Sequence, residues 1–98
     1  MKVKIGVREY DIVKQNELVE VGGELYGKIC YKASEITIAT KFDQLRQNAT
    51  FLHELIHGVC EMQNLTSINE DEHYVDLLAT GLHRAIVDNP HIFQMKDV

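Results

Sequence analysis

The chain has no tryptophan, one proline and two cysteines in 98 residues. Cys30 and Cys60 cannot build the disulfide framework on which small secreted folds rely, so the reading is free thiols in the cytoplasm. With Pro90 the only proline, there is no proline-rich linker, and no low-complexity tract or internal repeat interrupts the sequence. No apolar run approaches the roughly 18 residues of a membrane span. The opening Met1-Lys2-Val3-Lys4-Ile5-Gly6 alternates charged and apolar residues, so it lacks the unbroken apolar stretch of a signal peptide. No membrane partner is expected.

Basic residues are scarce in one half. Residues 1–50 carry eight Lys/Arg against seven Asp/Glu, whereas residues 51–98 carry two against eight, so the net −5 divides into +1 and −6. Phosphate recognition needs clustered Lys and Arg, which argues against a direct nucleic-acid ligand. All five histidines also fall after residue 50. Histidines gathered with carboxylates suit a cation site, although a solvated acidic helix face has the same composition. The acidic half favours a basic surface on any protein partner. What remains is ordinary globular composition, 45% hydrophobic and 26% charged, and a length that fits one domain, residues 1–98.

The first forty residues read as strands. Val3, Ile5 and Val7 alternate with Lys2, Lys4 and Gly6 in a segment running to Val13, with a turn or bend at Arg8-Glu9-Tyr10-Asp11. Asn16 to Glu24 is less regular and is punctuated by Gly22-Gly23. Leu25 to Tyr31 and Glu35 to Thr40 are two further runs joined through Lys32-Ala33-Ser34. After Thr40 the period changes: Leu45, Ala49, Leu52, Ile56 and Val59 predict a helix from Asp43 to about Gln63. Gly58 inside it costs roughly 1 kcal/mol relative to alanine, which implies a close neighbour. A second helix carries Val75, Leu78, Ala79, Leu82 and Ile86 as its buried stripe, with Gly81 suited to close helix contact, and stops at Asp88-Asn89-Pro90. The expected fold is α+β, a small three-stranded antiparallel sheet followed by two packed helices.

The first helix contains His53-Glu54-Leu55-Ile56-His57, an HExxH motif. Histidines four apart on a helix point the same way and can share one Zn²⁺, and the glutamate beside the first can take a proton from bound water. Shuffling this composition produces HExxH in about 2% of chains, but here it falls on an amphipathic helix at the edge of the apolar stripe. A catalytic zinc site needs a third protein ligand and an open position. Glu70, Asp71, Glu72, His73 and Asp76 are within reach. Glu72 and Asp76 share a face bordering the buried stripe, so Glu72 is read as the third ligand and Asp76 as acceptor of a histidine's second N–H. Asp76 and His73 remain alternative ligands. Glu72 also has a competing role, since Asn69 and Glu72 have capping-box spacing; Ser67 and Glu70 offer the same box and would leave Glu72 free.

HELIH followed by the acidic helix Asn69-Glu70-Asp71-Glu72-His73-Tyr74-Val75-Asp76-Leu77-Leu78-Ala79 resembles the ImmA/IrrE family of zincin-type metallopeptidases. The closer likeness is to short versions in phages and mobile elements of Gram-positive bacteria. It extends over roughly residues 25–90, including Gly81-Leu82 through Asp88-Asn89-Pro90. The resemblance implies a gluzincin arrangement, with His53, His57 and Glu72 on Zn²⁺ and Glu54 as base. It also implies a protein substrate of the helix-turn-helix repressor kind, whose cleavage frees phage or stress genes. Against longer members of that family, the expectation is a short version without a helix ahead of the strands and without a C-terminal extension. The expected substrate strand is Glu35 to Thr40, which leads into the HExxH helix. The alternative function is a non-catalytic zinc-binding regulatory protein of phage or mobile-element origin. Tyr31 and Tyr74 are weaker candidates for oxyanion stabilisation, and His83 and Cys60 for proximity to the metal.

Overall fold

The computed structural model describes residues 1–94, so the last four residues of the expected domain lie outside the described residues. Six strands precede three helices: β1 Lys2–Ile5, β2 Arg8–Gln15, β3 Leu18–Glu20, β4 Gly23–Leu25, β5 Gly27–Cys30, β6 Glu35–Ala39, α1 Gln44–Met62, α2 Thr66–Asn69 and α3 Glu72–Asp88. A short 3-10 turn follows at Ile92–Gln94. The α+β class holds, but the sheet differs from the expected three antiparallel strands. It has four strands in the order β1-β2-β6-β5, with β3 and β4 as a separate two-stranded ribbon. β2 runs parallel to β6, while the β1–β2 and β5–β6 pairs are antiparallel.

The first strand divides because Gly6 adopts φ 64°, which glycine reaches without strain. Ile5 pairs with Arg8, so Gly6-Val7 is a two-residue hairpin loop and the predicted bend at Arg8 to Asp11 is instead the start of β2. The parallel pairing places β6 between β2 and β5. Glu35 to Thr40 is therefore not an edge: Ile36, Thr37, Ile38 and Ala39 are all buried, and β5 is the edge strand beside α1.

Ile5, Tyr10, Ile36 and Ile38 form the core, with Ile29, Phe51 and Leu55 packed on it. Phe51 and Leu55 belong to a different face of α1 from the predicted Leu45-to-Val59 stripe, and Leu45 is exposed. The helix lies between the sheet and α3 and is covered on two sides, so one stripe cannot describe it. A Cβ on Gly58 would stand 2.6 Å from Ile5 Cδ1 and 3.3 Å from Ile29 Cδ1, which identifies the neighbours that need its space. Gly81 meets nothing within 4 Å, so it does not serve close helix contact.

In α3 only Val75 and Ala79 are buried; Leu78, Leu82 and Ile86 are 42%, 48% and 40% exposed, contrary to the predicted stripe. α3 packs chiefly on α1 and α2, and such a contact covers only a narrow face. Among the described residues no helix is long and apolar enough to cross a membrane.

Candidate metal centre

Asp43 caps α1 by accepting the Arg46 N–H at 2.8 Å, which sets the phase of the helix on which His53 and His57 stand one turn apart. Their rings meet edge to face with centroids 5.0 Å apart. α3 is capped by Asp71, whose carboxylate accepts the Tyr74 N–H at 3.1 Å. Neither predicted capping box forms at this end, because Ser67 and Asn69 lie within α2. Glu72, the first residue of α3, turns its carboxylate toward α1 instead. Its two oxygens lie 3.1 Å from His53 Nε2 and 2.8 Å from His57 Nε2.

One donor atom from each of His53, His57 and Glu72 falls within 4.8 Å of the others, so this group could hold a metal ion. Two imidazole nitrogens and one carboxylate oxygen are a donor set that suits zinc. The surroundings of His57 provide a test of fit. Its Nδ1 is 2.6 Å from Asn69 Oδ1, and the Asn69 amide donates to the Tyr31 hydroxyl at 3.1 Å. That hydroxyl donates in turn to the His57 carbonyl at 3.3 Å, closing a ring of bonds on one residue. An amide oxygen only accepts, so Nδ1 carries a proton, and in the ring protonated there alone Nε2 presents a bare lone pair to the Glu72 carboxylate. Two acceptors at 2.8 Å repel unless a cation or proton lies between them, and the three donors therefore fit a metal ion.

His53 reaches Asp76 from its other nitrogen, Nδ1 to Oδ1 being 3.5 Å. Asp76 thus stands beside a ligand-set histidine and outside the converging triad. His73 is exposed and is not part of the triad. Glu54 is only 8% exposed. Burial raises its carboxyl above the ordinary range; the charges of His53 and His57 pull it back, and Glu72 pushes it up again.

These groups open into a cleft of about 760 Å³ whose walls include His53, Glu54 and His57 of α1, Glu72 and Asp76 of α3, and Gly27, Lys28 and Ile29 of β5. β5 comes close because Gly27 lacks a side chain: a Cβ there would be 2.5 Å from Thr50 Cγ2 and 2.8 Å from the Thr37 carbonyl. Among the remaining candidates, Tyr31 lines the cleft with its hydroxyl engaged by Asn69 and His57, and burial raises its pKa. Tyr74 is exposed, and His83 is absent from the cleft wall, its Nε2 buried without a partner among the described residues. Cys60 is buried away from the cleft wall and Cys30 is exposed. The residue that sequence reasoning did not place here is Asn69. Twelve residues from His57 and on a separate helix, it has no spacing signal to reveal it.

No family model, curated protein or solved structure matches the chain. What the centre does is therefore read from its own chemistry.

Proposed function

We propose that the chain is a zinc metallopeptidase of gluzincin type on a minimal zincin-like fold. Its substrate would be a protein, with a helix-turn-helix repressor of phage or mobile-element origin as the first candidate on the strength of the ImmA/IrrE resemblance. The observation that carries the reading is the convergence of His53, His57 and Glu72 with a buried, unusually basic carboxylate, Glu54, beside them in one cleft. Zn²⁺ in this set supplies a Lewis acid for the scissile carbonyl and lowers the pKa of water.

The protein's own groups have distinct tasks. Glu54 takes the proton from the attacking water and returns it to the leaving amine, and its raised pKa suits it to both transfers. Asn69 holds the His57 Nδ1 proton, leaving Nε2 free as a ligand, while Asp76 stands beside His53 Nδ1. The substrate strand is β5 rather than Glu35 to Thr40. β5 has one paired side and borders the cleft, so an extended peptide can add to it by main-chain bonds.

Metal analysis and cleavage assays test the reading together. Purified chain should carry about one zinc, and Glu72→Gln should release it whereas Glu70→Gln should not. Glu54→Gln should retain zinc and lose cleavage of a co-expressed repressor encoded nearby. A chain that stays metal-free after zinc titration overturns the assignment. If wild type and Glu54→Gln bind such a partner equally and cleave nothing, the protein is a zinc-binding regulator instead.

A further inference from the structure

The cleft wall carries two basic side chains as well as its carboxylates, Lys28 and Arg46, and Lys28 is paired with Glu20 at 3.6 Å. Glu54, Glu72 and Asp76 crowd around the two histidines, but Arg46 lines the same cleft further along α1. Seven residues ahead of His53, it shares that face of the helix at a distance of about 10 Å along the axis. Its guanidinium lies over the Tyr26 ring, 4.5 Å from the centroid. Tyr26 is braced in turn by Phe42, edge on, at 4.6 Å. Among the described residues no carboxylate lies within ion-pair distance of Arg46; the nearby wall residue Glu24 is engaged by Lys41 at 2.6 Å. A guanidinium held on an aromatic face and left without an anion is already positioned to receive one.

We propose that Arg46 is a specificity determinant that selects an Asp or Glu side chain in an extended peptide, about three residues from the bond placed at the metal centre. The assignment rests on the peptidase reading and names the chemistry of its substrate. An extended chain lying along α1 advances about 3.3 Å per residue, so three residues match the roughly 10 Å of helix rise between the backbones of Arg46 and His53. A carboxylate there gains a forked, charge-assisted contact.

Peptide hydroxamates test this without a known substrate, because the hydroxamate anchors on zinc. Two dye-labelled series, with the hydroxamate at the C-terminus or at the N-terminus, would lay the chain to either side of the metal. Each series carries Asp, Asn or Lys at the third residue, and binding to the zinc-loaded chain is followed by fluorescence anisotropy. In one series Asp should bind about tenfold tighter than Asn, with Lys weakest. Arg46→Gln should erase that order and Arg46→Glu should reverse it. Added salt should compress the order in wild type, a readout that needs no variant. Hydroxamates that bind zinc-loaded protein with no Asp preference in either series, or a preference that survives Arg46→Gln, overturn the assignment and leave the metal reading standing. A chain that neither loads zinc nor binds any hydroxamate overturns both.

Discussion

Against one side of α1 the sheet presents Ile5, Tyr10, Ile36 and Ile38, each no more than 5% exposed; against another side α3 buries only Val75 and Ala79. A fully buried side chain of the first kind contributes about 1.5–3 kcal/mol, so the sheet and α1 hold together without assistance from the site. α3 has far less apolar area beneath it, and Leu77, Leu78 and Leu82 face outward. Its polar ties run through Glu72 and Asp76 to His53 and His57. The contrast gives the His53, His57 and Glu72 cluster a second role, as the clasp that keeps α3 on the body of the protein, and a metal ion held there would tighten it.

The largest effect should come from His57→Ala. It removes a donor from the centre and also leaves Asn69 and Tyr31 without the ring of bonds they share with His57. Zinc content should fall to near zero, and melting should drop by several degrees, on the order of the change expected when a tightly bound ligand is lost. Metal analysis and calorimetry on the same sample check both. His53→Ala should cost as much zinc and less stability, since its partner Asp76 is solvent-exposed. Equal stability losses would mean that the Asn69 ring contributes nothing.

Chelation should then separate the two sides within one molecule. Amide exchange in α3 should accelerate by about tenfold or more once zinc is removed, while the Ile12–Ile36 and Lys14–Ile38 region of the β2–β6 ladder stays protected. Uniform acceleration across both would show that α3 and the sheet open as one unit, and the clasp idea would fall.

The two interior glycines sharpen the contrast at smaller scale. Gly58→Ala presses a methyl group against Ile5 and Ile29, and the overpacking should outweigh the gain in helix propensity for a net loss of about 1 kcal/mol. Gly81→Ala meets open space and should gain up to about 1 kcal/mol. Chemical denaturation of the two variants checks the opposite signs.

How far the sequence could anticipate this follows the range of the interactions. α1 was legible to within a residue, because Asp43 caps it and Gln63 closes it through local bonds. Lys32-Ala33-Ser34 was legible as a connection, and Ser34 does take a positive φ of 55° there. The meeting of His53 with His57 follows from helical spacing, and Glu72 could be chosen because it borders α3's buried face. The parallel register of β2 with β6 could not be seen: Ile12 and Ile36 are paired across an excursion through three strands, and alternation looks alike in parallel and antiparallel short strands. The exposed Leu78, Leu82 and Ile86 misled for a related reason, since periodicity marks an apolar face without saying whether anything covers it. Asn69 was invisible because its role depends on where α2 packs.

The smallest expected effect lies at Glu54 in metal-stripped protein. Burial first, and then Glu72, hold its carboxyl above the ordinary range, against the opposing pull of His53 and His57. The unfolded chain titrates this residue near about 4.3, so just above that pH the folded chain binds the extra proton. Stability must then fall as pH rises from the unfolded value through the raised folded one, because ionising Glu54 costs more inside the protein than outside. Glutamine has no charge to bury. With chelator present, wild type and Glu54→Gln should therefore melt at similar temperatures near pH 4 and diverge by pH 7, with the variant higher. Zinc should narrow that gap, since a neighbouring cation stabilises the ionised carboxylate. Parallel melting curves across this range in chelator would show that Glu54 is solvated in the metal-free state. The basicity assigned to it as a proton carrier would then have to come from somewhere other than burial.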